Sequence, residues 1–130
     1  RVKRMSYDVQ LYTVQTQQRF QQANDLDFFE HADNLVAFTA QQFEELKQRL
    51  LSYDYEIVQT EDQDIHFRKA DTDSTALCYL TQNAVYFSSG WNDEDIFDIS
   101  MTASEFTDSG EFAKFDPQSG EWESSTDWET

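Results

Sequence analysis

Apolar and polar positions alternate almost from the start of the chain. Across Ser6–Val14, Tyr7, Val9 and Leu11 fall on one side, with Asp8, Gln10 and Tyr12 on the other. Period two is the repeat of a strand, so a first strand is expected here. Gln15–Gln22 is polar around Phe20 and fits a short helix or a loop. Asp25–Glu30 places Phe28 and Phe29 among acids and fits a one-turn element.

A helix is predicted next. Thr39 followed by Gln42 forms a capping box, and Phe38 and Phe43 flank it as a hydrophobic staple. Phe43, Leu46, Leu50 and Leu51 then recur at helical spacing, with Glu44, Glu45, Lys47 and Gln48 outside. Ser52–Asp54 ends it. From Tyr55 the pattern shortens into strands separated by acidic turns: Tyr55–Gln59, then Ile65–Arg68 after Glu61–Asp64. Ala76–Thr81 and Ala84–Ser88 predict a hairpin around Gln82 and Asn83, since Asn tolerates left-handed backbone.

The run Ile96–Met101 is compatible with a strand. The wider set Ile96, Ile99, Ala103 and Phe106 favours a helix, with Asn92 or Asp93 as N-cap. Asp93, Glu94 and Asp95 would then sit at its positive end. Ser109 and Gly110 close it, and Glu111–Phe115 is expected to add one apolar turn. The pattern as a whole predicts an α+β fold: a mostly antiparallel sheet of about five strands, one long helix and a second helix, with one sheet face left for helix packing. Residues 5–116 are expected to form one domain and 117–130 a frayed acidic tail. Arg1–Arg4, ahead of Met5, reads as an expression remnant.

Composition changes this picture in two ways. The mean hydropathy is -0.75, yet 11 Phe, 6 Tyr and 3 Trp supply a core and argue against general disorder. The charge is strongly one-sided, at -17 overall. Setting aside Arg1, Lys3 and Arg4 leaves six cations against 26 acids. Such an excess keeps a chain monomeric and opposes direct contact with nucleic acid or an anionic membrane. Cys78 is the lone cysteine, so no internal disulfide can form. With no membrane-length apolar run and no signal-like segment after Met5, a cytoplasmic protein is expected.

Few residues suggest catalysis. Cys78 lies mid-strand and reads as a structural thiol, while His31 and His66 stand apart from any nucleophile or helical partner. No cofactor is expected, because the three glycines are isolated and make no phosphate loop. Asp71-Thr72-Asp73 begins like a calcium loop but lacks the later glycine and acid, and Asp62, Asp64 and His66 alternate as strand-borne ligands would. For both, a solvated acidic turn is the plainer reading, and no metal site is expected.

The acids themselves carry the functional expectation. Trp91–Thr130 holds twelve of them against Lys114 alone. A domain with a radius of gyration of ~13 Å spans roughly 35 Å. Duplex DNA of that length carries about 20 phosphates, the same scale as this acid excess. The residues expected to meet a partner are Asp62, Asp64, Asp71, Asp73, Asp93, Glu94, Asp95, Asp98, Glu105 and Asp108.

The Ser6-Tyr-Asp-Val start, the Asp27-Phe-Phe-Glu30 block and the stretch Met101–Gln118 resemble a family of small acidic bacterial proteins, most of them uncharacterised. In size and acidity the chain also resembles a neisserial DNA mimic that binds the histone-like protein HU. The resemblance implies a monomeric, non-enzymatic protein occupying the DNA-binding surface of an HU-like nucleoid protein. The alternative expectation is an immunity or inhibitor protein for a basic toxin such as a nuclease. Exposed Trp91, Trp122 or Trp128 would favour that alternative, since inhibitors anchor through aromatic hot spots.

Overall fold

Seven strands within residues 6–125, the part of the chain that this computed structural model describes, bond into one antiparallel sheet. They are β1 (Tyr7–Thr13), β2 (Tyr55–Glu61), β3 (Asp64–Lys69), β4 (Leu77–Leu80), β5 (Val85–Ser89), β6 (Phe112–Asp116) and β7 (Glu121–Glu123). Their order is β2-β3-β4-β5-β1-β6-β7, which puts β1 between β5 and β6. Three α-helices accompany them: α1 (Val14–Ala23), α2 (Ala40–Ser52) and α3 (Asp93–Phe106). The fold class is α+β, as expected, with more strands and one more helix than the sequence pattern suggested.

Helix α2 forms for the reasons its sequence offers. The Gln42 backbone N–H donates to Thr39 Oγ1 at 3.0 Å, and the Thr39 N–H donates to Gln42 Oε1 at 2.9 Å. Leu46 and Leu50 are fully buried against the sheet, while Phe43 is only half-buried at the margin. Each buried leucine contributes about 1.5–3 kcal/mol. Leu51 departs from expectation: one residue past Leu50, it turns about 100° away and stays exposed.

Helices α2 and α3 cover one face of the sheet. There Val9, Leu11, Phe67, Leu80, Val85, Phe87 and Phe112 meet Leu46, Leu50, Ile99, Ala103 and Phe106. The other face is also covered, but only in part. Thr13 caps α1 by accepting from the Thr16 N–H at 3.1 Å, and α1 then folds Phe20 over Tyr12 and Phe115. A 3-10 turn at Phe28–Glu30, where a one-turn element was expected, adds Phe29, which stacks on Tyr12 with centroids 5.0 Å apart.

The chain after Gly110 is the main correction. Glu111–Phe115 was expected to be an apolar turn and 117–130 a frayed tail. Instead Phe112–Asp116 is a strand bonded to β1, and Glu121–Glu123 pairs with it through a hairpin. Gly120 sits at φ 78, the left-handed backbone that lets this turn close. Trp122 packs 4.9 Å from Phe115, tying the hairpin to the second face. Residues 126–130, and the expected remnant at 1–4, lie outside the described part.

Candidate functional site

Helix α3 begins where Asn92 Oδ1 accepts the Asp95 N–H at 2.9 Å. Asp93, Glu94 and Asp95 fill its first turn, where the backbone dipole favours negative charge. Its inward stripe is Ile99, Thr102, Ala103 and Phe106. Its outward stripe joins exposed Glu94 and Glu105 to two exposed apolar side chains, Phe97 (67% exposed) and Met101 (43%). Asp93 and, just past the helix in a further 3-10 turn, Asp108 lie exposed as well. Trp91, 57% exposed, precedes the helix and meets the Tyr7 ring edge-on at 5.5 Å.

Asp95 does not belong to this outward set, which corrects its expected role in partner binding. It is buried, and its carboxylate accepts the Thr75 N–H at 2.9 Å, the Thr75 hydroxyl at 2.6 Å, the Ser74 hydroxyl at 3.3 Å and the Asn92 amide at 3.0 Å. The Thr75 hydroxyl bond, against the opposing cost of burial, holds the Asp95 carboxyl below the ordinary carboxylate range, and the Thr75 N–H, Asn92 and Ser74 help. These bonds clamp the β3–β4 loop to the start of α3. Exposed Asp71 and Asp73 are thereby brought to the same end of the molecule as Asp93 and Glu94.

Other nominated acids lie elsewhere or are partly engaged. Asp98 pairs with Lys69 at 3.1 Å, and Glu105 accepts from the Tyr53 hydroxyl at 3.0 Å. Asp62, exposed and left-handed at φ 58, and half-buried Asp64 flank the β2–β3 turn. That turn is at the far end of β3, about 17 Å from the β3–β4 loop at ~3.4 Å per residue. The ten residues therefore do not form one patch. Among the described residues, no cluster of three or more His, Cys, Asp or Glu side chains could hold a metal ion.

Positive charge is mostly consumed by the fold. Lys69 Nζ donates to the Tyr53 carbonyl at 2.9 Å and lies 4.9 Å from the Tyr55 ring centre. Lys114 Nζ reaches the Ser100 and Ser104 hydroxyls at 2.8 and 2.9 Å, and Glu123 at 3.6 Å. Arg49 lies over the Phe106 ring and donates to the Tyr53 hydroxyl, while Arg68 pairs with Glu56 at 2.7 Å. Asp93, Glu94 and Glu105 of α3 consequently face solvent with little local compensation, unlike buried Asp95 and paired Asp98.

Sequence reading missed Phe97 and Met101. Their signal was present: two apolar residues four apart, off the stripe that Ile99, Ala103 and Phe106 define. Of the tryptophans named as possible anchors, Trp91 is exposed, Trp122 is half-buried in the second apolar cluster, and Trp128 lies outside the described residues. Cys78 is buried on the helix side of the sheet, and burial pushes its thiol well up. His31 is exposed, and His66 stacks on Tyr79. No helix among the described residues is long and apolar enough to cross a membrane. Compared with known proteins, the chain matches no family model, no curated protein and no solved structure.

Proposed function

We propose that this protein binds a basic DNA-binding protein through the outward side of α3, occupying the surface that DNA would use. The observation that carries this reading is the uncompensated row Asp93, Glu94, Glu105 and Asp108, with Asp98 at its edge. A helix of 14 residues is about 21 Å long. One DNA strand places about six phosphates in that length, at ~3.4 Å each. Within that length Asp93, Glu94 and Glu105 face solvent and Asp98 pairs with Lys69, about two-thirds of one strand's phosphate density, and Asp108 continues the row just past the helix. Asp71 and Asp73, held at the same end, extend the row.

An HU-like nucleoid protein, the partner implied by the family resemblance, is the first to try. The protein should compete with DNA for it, and rising salt should weaken the complex as screening shortens to ~8 Å at physiological ionic strength. Replacing Asp93, Glu94 and Glu105 by their amides should lower affinity without lowering the melting temperature. A ternary complex of partner, DNA and this protein would rule the mimic reading out for that partner.

One observation favours a second reading, an inhibitor of a basic toxin. Trp91, Phe97 and Met101 are apolar side chains exposed beside the acids, as an interface anchor requires. In that case Phe97→Ala should cost the complex at least about 2 kcal/mol, a roughly 30-fold loss, and exceed the effect of the triple amide variant.

A further inference from the structure

We infer that the outward stripe of α3 receives an amphipathic helix of the partner, one that carries an apolar pair between lysines or arginines. The inference rests on the reading of that side as the partner surface, and names the element that fits it. Successive helical residues turn by about 100°, so Glu94, Phe97, Met101 and Glu105 fall within roughly 80° of one another. All four are exposed, Phe97 by 67%. Along the axis they read acid, apolar, apolar, acid over about 16 Å, at ~1.5 Å per residue. Both flanks of the stripe are closed. On one, Asp98 pairs with Lys69 at 3.1 Å. On the other, Ser100 and Ser104 hold Lys114 Nζ at 2.8 and 2.9 Å. Both lysines are committed there, with side chains only 17% and 13% exposed. Glu105 accepts from the neutral Tyr53 hydroxyl at 3.0 Å and keeps its charge.

An apolar pair four residues apart also stabilises an isolated helix slightly. Helix α3 has little need of that, since Asn92 caps it and Ile99, Ala103 and Phe106 bury its other side. A row of phosphates contains no apolar group, so copying DNA does not account for Phe97 and Met101 either. Spacing selects the occupant's form. A helix alongside at a shallow crossing angle of about 20° repeats the same ~5.4 Å turn and stays in step along the whole stripe. A strand places same-face side chains every ~6.8 Å and would be about 4 Å out of step by the fourth contact. Local charge then selects its chemistry. Glu94 and Glu105 stand at opposite ends of the apolar pair, so the occupant needs a cation at both ends of its own. A second copy of α3 fails this requirement. Packed antiparallel it sets Glu94 against Glu105, and packed parallel it sets each glutamate against itself.

The probe is an acetylated, amidated alanine-based peptide of about 18 residues, long enough to be helical. It carries two leucines four apart, with a pair of lysines one turn beyond each. A second peptide of the same composition has both leucines moved two positions, onto the side away from the lysines. At low salt the first should gain helicity and shift the Phe97 ring and Met101 methyl signals. The second should bind at least about 5-fold more weakly, the mark of a lost interface anchor. Phe97→Ala, at an exposed position that leaves the fold intact, should weaken the first peptide by a similar factor. Glu94→Gln with Glu105→Gln should cost about 2- to 5-fold, an effect that added salt removes. Equal binding of the two peptides, no binding, unmoved Phe97 and Met101 signals, or an unaffected Phe97→Ala would each overturn the proposal. So would self-association that shifts the same signals, which would give the stripe to a second copy. The peptide test and the competition with DNA fail separately. A ternary complex with DNA removes mimicry and leaves the helix site, whereas a peptide failure removes the helix site and leaves mimicry.

Discussion

On the helix side of the sheet, Val9, Phe87, Ile99, Phe106 and Phe112 are excluded from water almost completely. On the opposite side, β5 carries Tyr86 and its neighbours carry Tyr79 and His66, all three only half-buried. The difference follows from what is laid over each face. Two amphipathic helices, each with its own capping side chain, close the first. One short helix and the 3-10 turn at Phe28–Glu30 close only the β1–β6–β7 half of the second. Apolar stripes long enough to span the sheet make a core, while a cover of about ten residues leaves half of a face open.

The comparison is broken most directly at its dry side. Leu46→Ala removes a fully buried side chain beneath α2 and should cost about 2–5 kcal/mol in denaturant melts. A change under about 0.5 kcal/mol would mean that α2 is not part of the core.

Asp95 asks whether the helix side also depends on a polar clamp. Asp95→Ala strips its charged acceptor from Thr75, Ser74 and Asn92, and should cost about 3 kcal/mol at pH 7. Its folded carboxyl is depressed, so its contribution is complete above the unfolded value of about 3.9 and is lost as pH falls through the folded one. Melting temperature should therefore fall as pH drops below about 3.9. In Asp95→Asn the acid-side fall should flatten, and an unchanged profile would assign it to another group.

The smallest effects compare the two halves of the wet face. Phe29→Ala, which empties the box around Tyr12, Phe20 and Trp122, should cost about 2 kcal/mol, less than a fully buried ring because Phe29 is only partly covered. Tyr79→Leu should leave stability within about 0.5–1 kcal/mol, having only cross-strand neighbours to lose. Equal costs would mean that the open half is as integral to the fold as the closed one.

These elements differ in how much of themselves they show in sequence. Thr39 and Gln42 fix the start of α2, because capping is local and the bonds span three residues. The hairpin Leu77–Ser89 was legible from its apolar runs around Gln82 and Asn83. Strand β6 hid because Phe112-Ala113-Lys114-Phe115-Asp116 is covered on both faces and does not alternate. Its Lys114 occupies the helix-facing side only because Ser100 and Ser104 receive it. Of the functional surface, the acids of α3 were visible as a charge run. The removal of Asp95 from that surface was not, since its partners Ser74 and Thr75 lie about 20 residues away. The stacking of His66, Tyr79 and Tyr86 was less visible still, because it exists only once the register aligns them.

The place of β1 in the sheet has a consequence for how the chain is made. Both its neighbours come later in sequence: β5 begins at Val85 and β6 at Phe112. At roughly 5–20 residues per second, the about 70 residues between β1 and β5 take on the order of 4–14 s to synthesise. Through that interval a strand bearing Val9, Leu11 and Tyr12 has neither edge paired. Such non-local pairing also slows folding after release, toward the millisecond-to-second range. A chain that ends before Phe112 would leave β1 without its β6 partner, one edge bare.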